Sequence, residues 1–540
     1  MTRIVKKIVM IACCFLSFYP VNLRAAAADS ISLTPPMGWN SYDCYCYTVN
    51  EAQVKANTDY MADSLKKLGW QYIVIDYIWS APIVPGVKWS PNQGPNFTNP
   101  HLNMDQNGRL LPDTTRFPSA KGGNGFKPIA DYIHGKGLKF GIHVMRGIPR
   151  QAWAANSPIL GSTAKAKDVA VTSDTCAWLN HMYGFDMTKT GSQDYLNSIL
   201  NLYASWNVDF IKVDDLSRPY YADEIVGYRT AINQCGRPMV FSTSPGKTPL
   251  AESAHVSQNA NQWRLLEDFW DSWAALDTAF NILASWTTMF QGVPGHWPDP
   301  DMLPMGALNK YGPTGDSPRN TNFTHDEQYT LMSLWSIFRA PLIFGGNLPE
   351  NDAFTNSLIM NSEVIKVDQK GVNVRVITSG NLPVWASDSP DSSNVKYVAL
   401  FNRTETGPTS ISVDLNALGM KNSLVRNLWT QTNVGTFATT FSSSINKHGA
   451  GLFKLTTGTT MAQPSNQGAA RVQSPALVNK TFVATGNTFL VPAAYRDLSL
   501  IADIYTSSGR LEQTRAIKNG AVHLQGNGVY FVKLRPESVR

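Results

Sequence analysis

Between residues 31 and 350, short apolar runs rich in β-branched side chains alternate with longer stretches in which apolar residues recur at helical spacing. That alternation predicts parallel strands joined by crossover helices. The strand candidates are Met37–Ser41, Tyr72–Asp76, Leu138–Val144, Asp209–Asp214, Met239–Ser244, Gln262–Asp268, a poorly marked one before Pro298, and Leu342–Gly346. Eight strands in this span predict a (β/α)8 barrel with insertions. Helical stretches at Glu51–Leu68 and Lys127–His134 are followed by Gly69 and by Gly135 and Gly137, as expected of helices ending at glycine. The insertion Pro82–Asn124 is rich in Pro, Gly and Asn; a loop of that length at the active face is expected to carry substrate contacts.

Beyond about residue 365 the period shortens to alternating runs with turn residues, such as Lys396–Phe401, Ser410–Leu415 and Gly451–Lys454, predicting an antiparallel β-sandwich. Thr456–Ala469 reads as a linker. The predicted organisation is α/β: a (β/α)8 TIM barrel over 29–365, an antiparallel β-sandwich over 366–457 and a small C-terminal β domain over 470–540. The first 28 residues read as a signal peptide. Arg3, Lys6 and Lys7 precede the apolar run Ile8–Tyr19 and the small residues Ala25–Ala28, and cleavage is expected near Ala27 or Ala28. That apolar run is shorter than the roughly 20 residues of a membrane span. The mature protein is therefore expected in the periplasm, at the cell surface or secreted, with no integral span. Cleavage removes Cys13 and Cys14 and leaves Cys44, Cys46, Cys176 and Cys235, for which an exported protein predicts one or two disulfides.

A formal charge of +6 is small for 540 residues, and no basic run beyond the N-terminus could track a phosphate backbone, so nucleic acid is not an expected partner. No CxxC pair or HExxH helix is present, so a zinc site is not indicated.

In Phe210-Ile211-Lys212-Val213-Asp214-Asp215 alternate side chains share a strand face, so Lys212 and Asp214 point one way and Ile211 and Val213 the other. With the apolar pair under the helices, Lys212 and Asp214 would face the C-terminal mouth, where barrel active sites are built. A nearby ammonium keeps a carboxylate ionised, which makes Asp214 a candidate nucleophile; a structural ion pair accounts for the same six residues equally well. In Trp263–Trp273, Arg264 and Asp268 would share a face of an extended strand. A carboxyl among Trp and Leu side chains would be poorly solvated and suited to donate a proton, so Asp268 is a candidate acid. Glu267 and Asp271 compete with it. Asp76, His143 and Asp301 lie at other predicted strand ends.

The run Thr34-Pro35-Pro36-Met37-Gly38-Trp39-Asn40-Ser41 resembles the opening strand of glycoside hydrolase family 27, the melibiase-type α-galactosidases. In order there follow Ile75–Trp79, Gly137–His143, Lys212–Asp214, Trp263–Asp268 and Asp299–Met302, and the resemblance covers roughly residues 31–455. It implies hydrolysis of terminal α-linked galactose from oligo- or polysaccharides by double displacement, without cofactor or metal. Carried over by position, Asp214 is the nucleophile and Asp268 the acid/base, while Lys212 and Arg264 bind hydroxyls. Asp76 would accept from O4 or O6, Asp301 would face a neighbouring hydroxyl, and Trp39 would form part of the apolar floor. Three positions depart from the family pattern: Tyr77 replaces a second Asp, His143 replaces a Tyr, and the fifth strand carries Ser242-Thr243-Ser244 where a Glu is common. These departures bring in a β-L-arabinopyranoside, an acidic sugar or a gluco-configured sugar as alternative substrates. Arg146 and Arg150 would bind a sugar carboxylate or, as is commoner, anchor loops. A non-catalytic sugar-binding barrel would be expected to lack a catalytic carboxylate, and both are present. The last unit, with Gly509-Arg510 and Gly528-Val529-Tyr530-Phe531-Val532, resembles the C-terminal sorting-type β domain of Bacteroidetes exported proteins.

Overall fold

The computed structural model describes residues 31–82, 102–308, 318–458, 480–490, 500–506, 511–517 and 521–536. The expected signal peptide, residues 83–101 of the long insertion, the linker beyond residue 458 and the Gly509-Arg510 turn lie outside them.

Eight parallel strands form one curled sheet: β1 Met37–Asn40, β2 Tyr72–Ile75, β3 Lys139–Met145, β4 Phe210–Asp214, β5 Val240–Thr243, β6 Gln262–Arg264, β7 Trp297–Asp299 and β8 Leu342–Phe344. The order is β7-β6-β5-β4-β3-β2-β1-β8. Leu303, just beyond β7, bridges Phe344 of β8 in parallel, its N–H donating to the Ile343 carbonyl at 2.8 Å, and so brings the two ends together. The seventh strand, poorly marked in sequence, contains Pro298 itself.

Strand alternation builds the barrel interior in layers. Outward-facing Ile73, Ile75, Ile211, Val213, Phe241 and Trp263 join the main core beneath the helices. Inward-facing Tyr72, Val74, Phe210 and Val240 form a separate apolar plug. Beyond this plug, towards the strand C-termini, the inward positions turn polar: Lys212, Ser242, Gln262, Arg264 and Asp299 line one cavity together with Asn40 and Asp301. The first crossover helix, α1 Glu51–Tyr60, starts at a capping box in which Asn50 and Gln53 satisfy each other's backbone N–H.

Packed on the barrel is an antiparallel sandwich whose strands run from Val372–Thr378 to Ala450–Thr456, with a core that includes Val398, Ile411, Val425, Phe441 and Phe453. Trp429 Nε1 donates to Ser333 Oγ at 3.0 Å and Arg403 Nε to Asp277 Oδ1 at 2.6 Å, tying sandwich to barrel. The described residues from 480 on belong to a second compact unit. Its four strands Lys480–Leu490, Leu500–Thr506, Leu511–Ala516 and Ala521–Pro536 enclose a small core that includes Ala502, Ile504, Val522 and Val532.

The expected disulfides are not formed. None of Cys44, Cys46, Cys176 and Cys235 is in a disulfide. Cys44 Sγ turns to the Ser41 carbonyl at 3.6 Å and Cys235 Sγ to the Ile232 carbonyl at 3.1 Å, so each thiol is directed into its own local turn. No helix of the described residues is long and apolar enough to cross a membrane.

Candidate active site

Strand β4 delivers Lys212 and Asp214 to the polar layer, as alternation predicts, but the two do not pair with each other. Lys212 Nζ donates to Asp76 Oδ2 at 3.0 Å, the same oxygen that accepts from Asn40 Nδ2 at 2.7 Å. Asp76 Oδ1 accepts the Tyr77 N–H at 2.8 Å. Burial acts to raise the Asp76 carboxyl, but Lys212, His143 and these hydrogen bonds outweigh it and hold Asp76 far below the usual carboxylate range.

Asp214 is held from β3 and from its own chain. His143 Nε2 lies 3.2 Å from Asp214 Oδ2, and the Asp215 N–H donates to Oδ1 at 2.9 Å. Burial again works against ionisation. The His143 hydrogen bond and charge, the Lys212 charge and the Asp215 N–H overcome it, so the carboxyl sits below its ordinary value.

Behind this turn lies Arg146, whose side chain is 2% exposed. Its main-chain N–H donates to the Asp214 carbonyl at 3.0 Å. Its guanidinium reaches the Asp215 carbonyl (2.8 Å) and Oδ2 (3.0 Å), both Asp174 oxygens (3.0 and 2.6 Å) and Glu224 Oε1 (2.8 Å). It also lies 3.5 Å from the Tyr221 ring centroid. Three carboxylates around one guanidinium leave an excess of negative charge. Burial, partly offset by Arg146, pushes Asp215 up to about 6 and Glu224 up to about 7. Arg146 is thus a loop anchor and has no donor directed at a substrate carboxylate, and Arg150 lies over the Tyr183 ring at 4.7 Å.

The strand predicted to reach Asp268 ends at Arg264; the Leu265 N–H donates to the Asp299 carbonyl of the neighbouring β7 at 2.8 Å, the last bond of that ladder before the chain leaves the sheet. Asp268 therefore lies in a loop that folds back, with Arg264 Nη2 donating to its Oδ1 at 3.0 Å. The desolvation expected from its Trp and Leu neighbours is absent, since the Asp268 side chain is 72% exposed. Arg264 is the buried member, with Nη1 3.0 Å from Asp301 Oδ1 and 3.4 Å from Ser244 Oγ. Asp301 accepts the Phe269 N–H on its other oxygen at 2.8 Å and so braces the Asp268 loop. Of the competitors, Asp271 is locked by Arg319 and by the Asn322 N–H at 2.6 Å, and Glu267 pairs with Arg218 at 3.0 Å.

Tyr77, 6% exposed, packs between two imidazoles, with ring centroids 5.7 Å from His143 and 5.8 Å from His181. Burial, then His143 and Arg150, push His181 down to about 3. Trp39 is fully buried in the main core with its Nε1 donating to the Gly346 carbonyl at 2.8 Å, and it is not among the residues that line the polar cavity.

Sequence reasoning passed over three neighbours. Asn40 ligates Asp76. Tyr42 is half-buried among Asp268, Asp76 and Asp214, and its hydroxyl is pushed up by burial first and then by Cys46 and those carboxylates. Asp43 is raised by burial and by Asp301, and it packs so closely on Gly345 that a Cβ there would come 1.9 Å from Asp43 Oδ2. Their signal was adjacency to Trp39 in the opening motif. Among the described residues, no three His, Cys, Asp or Glu side chains come together to hold a metal ion.

Comparison with known proteins gives a consistent relationship. A family model described as Alpha galactosidase A matches residues 97–157 and 180–370, and one described as Alpha galactosidase C-terminal beta sandwich domain matches 379–455. The chain is 30% identical over 449 residues to the "Probable alpha-galactosidase" of Dictyostelium discoideum, covering 80% of this chain and 94% of that protein. To the α-galactosidase of Cyamopsis tetragonoloba it is 27% identical, covering 80% and 89%. Among solved structures, a family 27 β-L-arabinopyranosidase from Geobacillus stearothermophilus superposes with TM-score 0.75 at 43% identity, covering 82% of this chain and 100% of that one. A variant of that enzyme in complex with arabinose matches at 44% identity and TM-score 0.75, covering 80% and 100%.

Proposed function

The chain belongs to glycoside hydrolase family 27, and from that premise we propose that it is a retaining exo-hydrolase of galacto-configured pyranosides whose preferred glycone is β-L-arabinopyranose. Asp214 attacks the anomeric carbon as Asp268 gives a proton to the departing glycosidic oxygen. Water, deprotonated by Asp268, then displaces Asp214, and the configuration is retained. Lys212, Asp76 and Asn40 form a fixed donor-acceptor set for ring hydroxyls, and Arg264 orients Asp268.

The observation that carries the choice of sugar is Tyr77. β-L-Arabinopyranose is α-D-galactopyranose without its C6 hydroxymethyl group. A second carboxylate after Asp76 would accept a hydrogen bond from that group, whereas this chain presents a buried aromatic ring wedged against His143 and His181. An apolar wall fits a sugar edge that ends at C5 and leaves a primary hydroxyl without its acceptor. The solved relatives at 43–44% identity point the same way. An α-D-galactoside is the second reading, favoured by the names of the curated relatives.

Initial rates on the 4-nitrophenyl glycosides separate the two. We expect kcat/KM for the β-L-arabinopyranoside to exceed that for the α-D-galactoside by at least about 10-fold, the order that one unpaired hydroxyl supplies. A galactoside preference would overturn the choice of sugar and leave the reaction in place. We also propose export, which N-terminal sequencing of the mature protein tests: a start near Ala28 is expected, and a retained Met1 would refute it.

A further inference from the structure

The loop 265–269, which carries Asp268, is held at both ends by one residue of the neighbouring strand. At its start the Leu265 N–H donates to the Asp299 carbonyl at 2.8 Å. At its far end the Phe269 N–H donates to Asp301 Oδ2 at 2.8 Å. Asp301 is itself held by Asp299, whose Oδ1 accepts the Asp301 N–H at 2.8 Å. Between the two ends works Arg264, which faces Asp299 in the β6–β7 register. Its Nε donates to the Leu266 carbonyl at 3.2 Å and its Nη2 to Asp268 Oδ1 at 3.0 Å.

Asp301 needs this support. Its φ of 86° lies in the left-handed region that residues other than glycine rarely adopt, and such backbone persists only where the surroundings over-determine it. The Asp301 N–H is on Asp299, its carbonyl accepts from Trp335 Nε1 at 3.0 Å, and its carboxylate lies between the Phe269 N–H and Arg264 Nη1. Without the Asp299 acceptor a buried N–H would lose its partner, and relaxation of φ would turn the carboxylate away from Phe269 and Arg264 together. Asp299 is in turn fixed by Gln262, whose Nε2 donates to Oδ2 at 2.7 Å, and both side chains are buried. With both oxygens engaged inside the protein, Asp299 acts through Asp301 and not on the sugar.

We propose that Asp299, fixed by Gln262, is a positioning residue for the proton donor, setting where Asp268 stands relative to the glycosidic oxygen by gripping both ends of its loop. This role rests on Asp268 as the proton donor. Proton transfer needs hydrogen-bond distance, and a displacement of about 1 Å costs up to ~10²-fold in rate. The nucleophile is held separately, by His143 and the Asp215 N–H, so a loosened loop weakens departure of the leaving group and spares the attack. A buried acid that served folding alone would lower stability and leave the dependence on leaving group as it is.

The test is the ratio of kcat/KM for the methyl glycoside, whose leaving oxygen needs a proton, to kcat/KM for the glycosyl fluoride, both carrying whichever glycone the wild type turns over best. Weaker glycone contacts through Asp301 enter both rates and cancel in the ratio. Asp299→Ala should lower the ratio about 10-fold. Asp299→Asn should recover most of it: its amide oxygen still accepts the Asp301 N–H, and Gln262 Oε1, which has no hydrogen-bond partner among the described residues, can turn to accept from the new amide. Gln262→Leu, an apolar side chain of similar size, should lower the ratio about threefold, and it decides alone if Asp299→Ala does not fold. If the wild type hydrolyses the fluoride and every folded variant stays within about 1.5-fold of its ratio, the positioning role is refuted and the hydrolase reading stands. A loss in Asp299→Asn as large as in Asp299→Ala refutes it too. If the wild type hydrolyses neither substrate, both fall.

Discussion

Asp214 ends a strand, its side chain 17% exposed, with His143 and the Asp215 N–H on its two oxygens and the buried Lys212–Asp76–Asn40 set beside it. Asp268 lies in a loop beyond the sheet, 72% exposed, with one oxygen on Arg264. These contrasting surroundings match the two chemical duties proposed for them. A nucleophile must be ionised and fixed before the sugar arrives, and buried donors aimed at a carboxylate achieve both. An acid/base group gives up a proton in the first displacement and takes one in the second, so it benefits from exchange with water. The half of the site around Asp214 is built on strands, and the half proposed for proton transfer on a loop braced by Asp301.

The sharpest way to break this contrast is to remove each carboxyl and change the leaving group. Asp214→Ala should lower kcat/KM by about 10⁵-fold on every substrate, since no covalent intermediate can form. Asp268→Ala should lower it by about 10²–10⁴-fold on a sugar leaving group. On the glycosyl fluoride, which departs without a proton, its loss in kcat/KM should be no more than about 10-fold. Equal losses for Asp268→Ala on both substrates would contradict its assignment as the acid.

What could be read in the sequence follows the same division. Strand alternation placed Lys212 and Asp214 on the inward face because period-2 geometry is local and the apolar residues between them identify the outward face. The Asp268 loop was misread as strand, since nothing in Leu265-Leu266 signals that the chain leaves the sheet. The Arg146 cluster was legible only as two alternatives. Its partners Asp174, Asp215 and Glu224 lie 28, 69 and 78 positions away, and one sequence carries no record of such pairings. The substrate question turned on a visible substitution at Tyr77, but the imidazole from His181 that packs against it comes from a segment with no strand or helix pattern.

The stability of the two halves should differ as their solvation does. Arg146→Leu would leave the buried Asp215 and Glu224 carboxyls without their cation, and we expect a loss of about 3–5 kcal/mol in chemical denaturation. Asp268→Asn should change stability by no more than about 0.5 kcal/mol, because Arg264 keeps Asp301 and the lost charge is solvent-exposed. Similar losses in the two variants would show that Arg146 anchors nothing beyond an ordinary loop.

The smallest effect, and the most specific to the buried half, is in pH dependence. Glu224 is raised to about 7 and Asp215 to about 6, both through burial, so at these two sites the folded protein binds more protons than the unfolded chain between about pH 4 and 7. With that sign, these groups make stability fall as pH rises through the window, and most of their contribution is lost by about pH 8. Both are hydrogen-bonded to Arg146. The Glu224 share corresponds to about 3–4 kcal/mol. Asp76 and Asp214 are shifted downward, so their contribution has the opposite sign and falls at lower pH, below about 4. Glu224→Gln should therefore flatten the curve: relative to wild type, the variant gains stability at pH 8 compared with pH 5, read from urea midpoints at the two values. Asp268→Asn, tested beside it, should keep the wild-type slope. Parallel curves for wild type and Glu224→Gln would mean that the three carboxylates are all ionised in the folded protein, and that Arg146 with its hydrogen bonds compensates the full negative charge behind Asp214.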